Sequence, residues 1–554
     1  MRKLTLTLAL LAAGSALAVG SLAAAGRAGT FPAGVPTLGR QLAADRVAPG
    51  SALERLIRQN QDFAMLRPEE AHDRIPVPLW LRVYWRKSHP EATYSAADPT
   101  GGYPLVLQEV HEWMVTHQDL QRAPRPASIA PFAASAGANL RVSGAQTSAR
   151  SESAIAINFL NPSRIVVAAN SISAGGRQAQ LFSADGGLTW GQTTLPLTAS
   201  DKFHSDPTVD WTADGTAWSL TIGIAGSKGR MRSYRSADGG ATWTFDATFS
   251  GSQTNTDKEM LWIDHSATSP FKDNIYAIWH NGNPAYVNHR TGPTGAWGTP
   301  LQVSSTETTG TAIGGDVKTN SAGDVFAFWP ATGNGHLVVA KSTDGGASFT
   351  RTVIATTFDT FDIGIPAMAS RRALIYTSGG AYRNGATNDV YVAWTDQRGG
   401  AGCSAPANEP GTNVASSCQT RVWFARSTDG GATWSAPVKL NDAASPLHDQ
   451  FNQWLAVDET SGKIGVMYYD TIGDSGRKKT DVWYQSSADG GVTWSAPLKV
   501  TTAPTDETVA GADSGNQYGD YNGMSGYLTK FFPSWTDRRN NAREEIWTAP
   551  IIDP

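Results

Sequence analysis

The sequence predicts an all-β chain: a seven-bladed β-propeller of four-stranded antiparallel blades, with six blades as the alternative, behind a small and mainly helical N-terminal segment. One octapeptide carries most of that prediction. SADGGLTW at 183, SADGGATW at 236, STDGGASF at 342, STDGGATW at 427 and SADGGVTW at 487 share the pattern Ser-x-Asp-x-Gly-x-Thr/Ser-aromatic. The first two start 53 residues apart and the third follows after 106, twice that interval. A degraded copy fills the gap, where HRTGPTGAWGTP keeps Gly292 and Trp297 but lacks the aspartate. The second observation is the frame. Alternating apolar residues precede the copies, as in RVWFARSTDGG, and TWSAPVKL or its like follows, so a Gly-rich turn joins two strands of a hairpin. Two more β-rich runs lie upstream, DVYVAWTDQR before the fourth copy and KIGVMYYD before the fifth, which makes four strands per unit.

The third observation is a count. QAQLFS, RMRSYRS, AYVNHR, HLVVAKS, RVWFARS, DVWYQSS and EIWTAPII are seven third strands, and the chain stops after the last with no fourth strand beyond it. ANLRVSG, residues 138–144, has the character of a fourth strand and is expected to close the ring, leaving no open edge.

Along the chain, MRKLTLTLALLAAGSALAVGSLAAAG sets two cations before an apolar run and small residues, the layout of a secretory signal peptide over residues 1–25; a membrane anchor is the alternative. Its removal would take the net charge from −4 to −6 and place the protein in the periplasm or the medium. Residues 26–123 contain SALERLIRQNQDFAML and YPLVLQEVHEWMVTHQ, with apolar residues at helical intervals, while IPVPLWLRVYWRKSHPE is ambiguous. This extension is either a removable pro-region or a helical cap, and residues 124–137 have linker composition ahead of a propeller over 138–554. Cys403 and Cys418, the only cysteines, are expected to form a disulfide across a loop in an exported protein, stabilising it by about 3 kcal/mol. A net charge of −4 gives no footprint for nucleic acid, and no later stretch is apolar for long enough to span a bilayer.

The five octapeptides resemble the Asp-box, or BNR, repeats of the sialidase superfamily. The resemblance covers roughly residues 138–554 and implies that Asp185, Asp238, Asp344, Asp429 and Asp489 are architectural, on the face opposite the active site. Physically, such an Asp accepts bonds from turn amides, Gly permits positive φ and the aromatic packs between sheets. Family members also carry three arginines for the substrate carboxylate, an early Arg-Ile-Pro, a Tyr/Glu nucleophile couple and an Asp acid/base. This sequence departs from that pattern: its x-Ile-Pro inside the propeller is Gly364-Ile365-Pro366, with glycine in place of arginine.

If the octapeptide turns occupy one face, the blade-to-blade crossovers and the loops between second and third strands occupy the other. That face gathers the candidates. Glu259 or Asp206 is expected as acid/base, Tyr518 or Tyr521 as nucleophile partner, and His204 and His448 as proton-transfer groups. Arg398, Arg538 and Arg477, with His280 and Gln450, are expected to bind substrate, because arginine forks match a sugar carboxylate. The repeated WTDQR and WTDRR equally fit structural ion pairs, and His204 and His448 equally fit features of the repeat. DTIGDSG has a loose calcium-loop flavour, and otherwise neither metal nor cofactor is expected. The function expected is hydrolysis of glycosidic bonds in an acidic or complex glycan. The alternatives are a uronate polysaccharide lyase, and a non-catalytic propeller that binds glycan or protein.

Overall fold

The computed structural model describes residues 47–60, 110, 113, 116–117, 133–144, 148–172, 175–400, 403, 408–539 and 543–554. The chain divides into two compact units, Met1–Pro131 and Phe132–Pro554. In the first, Ala52–Asn60 is a helix. Its start is a capping box: Ser51 Oγ accepts from the Glu54 amide (3.0 Å) and the Glu54 carboxylate accepts from the Gly50 amide (2.6 Å). Leu53 and Ile57 are buried on this helix, and Val110 is buried in the second expected segment. The leader at 1–25 and the ambiguous run IPVPLWLRVYWRKSHPE lie outside the described residues.

The second unit is a ring of seven antiparallel blades, which excludes the six-bladed alternative. Blade I is built from Ser151–Ile157, Ile165–Asn170, Ala179–Ser183 and Gly191–Thr194. The innermost strands of blades II to VI are Phe203–Trp211, Thr256–Ile263, Asp316–Thr319, Thr377–Asn384 and Gln450–Val457. Blade VII runs Gly523–Tyr527, Lys530–Asp537 and Glu545–Thr548, and its fourth strand is Leu140–Arg141, paired as Leu140 with Thr548 and Arg141 with Trp547. The expected closure is therefore made. It extends further upstream than expected, because Ser135–Ala136, within the predicted linker, pairs with Ile551–Ile552. Every blade is covered on both sides by its neighbours, so the inner strands are largely buried, and in blade I all seven residues of Ser151–Ile157 are.

The octapeptides share one hydrogen-bond scheme. In the first, Ser183 Oγ donates to Asp185 Oδ1 (2.8 Å) and accepts from the Gly187 amide (2.9 Å). Asp185 in turn accepts from the Thr189 amide (2.9 Å) and hydroxyl (2.6 Å), and Trp190 Nε1 donates to the Gly187 carbonyl (3.0 Å). These bonds hold the Asp185 carboxyl down at about 2, the Thr189 hydroxyl being the main cause. In blade III, where the aspartate is missing, Arg290 donates to the Pro293 carbonyl (3.1 Å) and Trp297 stacks on Phe249 at 4.3 Å.

The second glycine of each octapeptide also abuts the preceding blade. Gly187 has φ 90°, and a Cβ there would stand 2.9 Å from Phe532 of blade VII. Gly186 has φ 73° and open space around it. Gly186→Ala is thus expected to cost about 1 kcal/mol for the left-handed backbone alone. Gly187→Ala should cost roughly 2–4 kcal/mol, because overpacking is added to the same strain. Urea unfolding of the two variants measures the difference, and equal losses would show that the turn does not set the spacing between blades.

The single disulfide joins Cys403 and Cys418, with Cα atoms 5.1 Å apart, which is consistent with an oxidising, extracytoplasmic setting. Among the described residues no helix is long and apolar enough to cross a membrane.

Candidate functional site

The first strands of the blades contact one another in a closed circuit around the axis. Four of them begin with the same irregularity. Register slips between Ser151 and Ala154, Ser205 and Thr208, Asp257 and Met260, and Phe451 and Trp454. Each bulge holds one non-glycine residue in the left-handed region: Glu152 (φ 55°), Asp206 (53°), Lys258 (52°) and Asn452 (47°). Such a backbone costs on the order of 1 kcal/mol per residue, and glycine would relieve it. That the four positions carry two acids, a cation and an amide marks the side chains as the reason for the strain.

All four lie on the crossover side, and the structure brings expected residues together with others there. Asp206 is buried, accepts from Ser205 Oγ (2.8 Å) and is hydrogen-bonded to Asp257. Burial, and then the Asp257 and Glu152 carboxylates, push the Asp206 carboxyl well above the ordinary range, so it keeps its proton. Burial also works against charge on Asp257, but the neighbouring His280 ring prevails and holds it below that range. The Asp257 side chain is 53% exposed, and His280 Nε2 lies 3.7 Å from it. The His280 ring is oriented from behind by Nδ1, which donates to the Gly282 carbonyl (2.7 Å). Two carboxyls sharing a proton thus stand at the mouth, Asp206 buried and Asp257 facing solvent.

Beneath them are polar groups that the protein leaves unpaired. Both Glu259 oxygens, the Tyr521 hydroxyl, Ser153 Oγ and Asn452 Oδ1 are buried with no hydrogen-bond partner among the described residues. Burial, then Asp206, raises the Glu259 carboxyl well above its ordinary range. The Lys258 ammonium sits 3.5 Å from the Tyr521 ring centroid and 5.4 Å from that of Tyr376, and burial lowers its pKa. Among the described residues it has no carboxylate within salt-bridge reach. Buried orphans are rare in folded proteins, and a cluster of them marks a place built to meet something else.

A strap covers this cluster. The crossover from blade IV to blade V, residues 357–376, carries a short hairpin, Asp362–Ile363 with Ala373–Leu374. At its end Ser370 and Arg371 donate backbone amides to Gln517 Oε1 (3.1 Å each). The Arg371 guanidinium bonds Glu152 (3.0 Å) and Asp520, tying the strap to blade I and to the crossover leading into blade VII. Glu152 is further held by Asn170 (2.6 Å).

The other expected residues sit elsewhere. Arg398 pairs with Asp442 (2.7 Å), and Arg538 with Glu544 (3.5 Å). Arg477 grips Asp449 (2.7 Å) and donates to the Ser416 carbonyl (2.8 Å), thereby fastening the disulfide loop. His448 is fully buried against Asp470 (2.7 Å), and Gln450 accepts from the Val422 amide (3.1 Å). Tyr518 is buried, with its hydroxyl 3.2 Å from Thr480 Oγ1. His204 stands 3.3 Å from the Tyr234 hydroxyl, and burial lowers its pKa to about 4, leaving a neutral ring. Counted from the bulges, His204 corresponds to Gln450, not to His448. In the two repeated motifs, Asp396 accepts from the Phe358 amide (2.7 Å) and Asp537 pairs with Arg539 (2.6 Å). In DTIGDSG, Asp474 accepts from the Lys478 and Lys479 amides (2.9 Å each). Among the described residues no group of three or more His, Cys, Asp or Glu is placed to hold a metal ion.

Glu152, Arg371 and Tyr376 were not singled out from sequence. Only the left-handed backbone at 152 and the path of the strap reveal them, and neither leaves a motif. At the opposite mouth His265, 2.9 Å from Asp210 and 2.8 Å from Glu459, links blades II, III and VI.

No family model matches the chain, and no curated protein does. Among solved structures, the chain is similar to a protein of unknown function from Dyadobacter fermentans, at 13% identity and a TM-score of 0.43 over 76% of this chain and 100% of that one. It is also similar to a Hadza microbial sialidase (14%, TM-score 0.40, covering 64% and 69%) and to the BP39L lectin from Burkholderia pseudomallei (12%, 0.41, covering 63% and 84%). What the chain itself shows is a propeller of seven four-stranded antiparallel blades.

Proposed function

We propose that this chain hydrolyses glycosidic bonds at the crossover-side mouth, with Asp206 as proton donor. The observation that carries the reading is the proton-sharing pair Asp206 and Asp257 standing over buried, unpaired Glu259 and Tyr521. Breaking a glycosidic bond requires a proton on the leaving oxygen and a group that meets the developing oxocarbenium ion. Asp206 is the group that favours such a proton, because its surroundings penalise the anion. A hydrogen-bonded pair is closer than the roughly 5–9 Å that separates two independent carboxylates in glycosidases. The pair therefore acts as a single acid, and the second role falls to Tyr521, whose phenolic oxygen meets the developing positive charge through a lone pair. Burial, then Asp206 and Glu152, hold that phenol well above its ordinary range, so it acts as a neutral hydroxyl. Tyr521 is 2% exposed, so the strap must swing aside for substrate to reach it.

A panel of fluorogenic glycosides tests this. At least one should be turned over, and Tyr521→Phe should lower kcat by about 100-fold or more with KM little changed. No turnover anywhere in the panel would overturn the reading. A non-catalytic glycan binder is the second reading, favoured by the separate ion pairs of Arg398 with Asp442 and Arg538 with Glu544, which leave those arginines away from the mouth. A uronate lyase draws no support from the same arrangement, since neither arginine is positioned to neutralise a carboxylate beside the acid pair.

A further inference from the structure

Beside the acid pair, on the same face, a cleft of about 620 Å³ opens between blades III and IV. Its near wall is His280, whose Nε2 faces Asp257, and its far end is Asp362. Between them the wall is neutral: Asn255, Asn283, Thr311 and Thr332, with the half-buried ring of Phe361.

Several hydrogen-bonding atoms in this wall are uncommitted. Thr311 Oγ1 donates to Asn283 Oδ1 (3.0 Å), which orients that amide. Among the described residues, Asn283 Nδ2 and the Asn255 side-chain amide donate to no protein acceptor. Thr332 Oγ1 accepts from the Thr311 amide (2.8 Å) and keeps its own proton to give. Phe361 lies 5.8 Å from Tyr376, and Tyr376 lies 6.5 Å from Tyr521, so a line of rings leads from the cleft to the mouth. The arginines that could have met an anion are engaged: Arg372 by Asp362 and Glu409, Arg371 by Glu152 and Asp520, Arg398 by Asp442, Arg477 by Asp449.

We infer that this cleft is the subsite for a neutral sugar residue of the glycan chain, stacked on Phe361 and hydrogen-bonded by Asn283, Asn255 and Thr332. The inference rests on the glycan-active reading of the mouth, and it names the substrate class as neutral where the arginine motifs of the sequence had suggested an acidic one. Ring hydroxyls need paired donors and acceptors, and the apolar face of a pyranose needs an aromatic plane; the wall supplies both. An acidic sugar would bring a charge past the Asp257 carboxylate, and the cation at the far end, Arg372, is already held by Asp362 (2.9 Å) and Glu409.

The test is an array of neutral oligosaccharides beside sialylated and uronate-containing ones, probed with the full chain carrying Asp206→Asn so that nothing is cleaved. Binding should be confined to neutral glycans. Phe361→Ala, added to that chain, should weaken it at least about 10-fold, and Asn283→Ala should do so in parallel. Preference for acid-bearing glycans, or unchanged binding in both variants, would overturn the subsite. The two readings fail separately. Neutral binding that falls with Phe361→Ala in a protein that cleaves no glycoside keeps the subsite and removes the hydrolase. Cleavage of oligosaccharides with a kcat/KM that neither substitution changes keeps the hydrolase and removes the subsite.

Discussion

Deleting residues 133–144 from the full chain is expected to abolish the cooperative thermal transition of the propeller or to lower its Tm by at least about 10 °C. The segment is short, but it closes the ring. Val142 and Ser143 donate their amides to the Ile546 carbonyl (2.9 and 3.3 Å), and Ser143 Oγ accepts from the Ile546 amide (2.9 Å). Gly137 donates to the Pro550 carbonyl (2.7 Å). Asn139 donates to the Val500 carbonyl (2.9 Å) and accepts from Arg539 (2.8 Å), which reaches across to blade VI. Val142 is buried with Ile155, Ile165, Phe532 and Ile546 at the seam between blades I and VII. Losing one buried aliphatic side chain costs about 2–4 kcal/mol, and each hydrogen bond about 1 kcal/mol net. The sum reaches the 5–15 kcal/mol by which folded proteins are ordinarily stable. The deletion also exposes the edge of Glu545–Thr548, an invitation to aggregate. Differential scanning calorimetry with light scattering reads both effects. A variant that melts as the wild type does would show that the ring stays closed without this strand.

Asp206→Asn is expected to lose activity by about 100-fold or more while making the protein more stable at pH 8. The first effect follows from removing the proposed proton donor. The second follows from the direction in which the site displaces its acids. Asp206, Glu152 and Glu259 all have carboxyls raised in the folded state, with burial as the first cause of each. An unfolded carboxyl titrates near about 4. Below that value both states are protonated and these groups cost nothing. As pH climbs from there through the raised values, the unfolded state releases protons sooner, so folding stability falls. The amide at 206 removes one of the competing acids and flattens the fall. We expect a gain of roughly 1–3 kcal/mol at pH 8 and almost none at pH 4. Chemical denaturation at the two pH values measures it, and equal shifts would refute the crowded-acid account. The octapeptide aspartates work in the other direction. Asp344 and Asp429 are lowered to about 2 by their Ser348 and Thr433 hydroxyls, so their contribution is present above about pH 4 and disappears as pH falls through 2.

Gly187 and Asp206 show where legibility in the sequence ends. The octapeptide is a local device: Ser183, Asp185, Gly187, Thr189 and Trp190 bond mainly within one turn, so their spacing is written in the chain itself. Copying that turn once per blade left a period that can be counted, and the missing fourth strand pointed to Leu140–Arg141. The mouth leaves no such record. Glu152 and Arg371 are 219 residues apart and meet only because the strap crosses the ring. The arginines in the repeated motifs looked like clamps, yet a side chain beside an acid in sequence tends to be spent near it, as Arg539 is on Asp537.

The sequence alone determined an all-β propeller, the number of its blades, the strand that closes it and the face that bears its turns, because those follow from local spacing and hydrogen bonding repeated along the chain. Only the tertiary structure decided which charges share the mouth. Burial and through-space Coulomb fields depend on residues hundreds of positions apart, and it is these that keep the proton on Asp206, leave Glu259 and Tyr521 unpaired and line the neighbouring cleft with neutral groups.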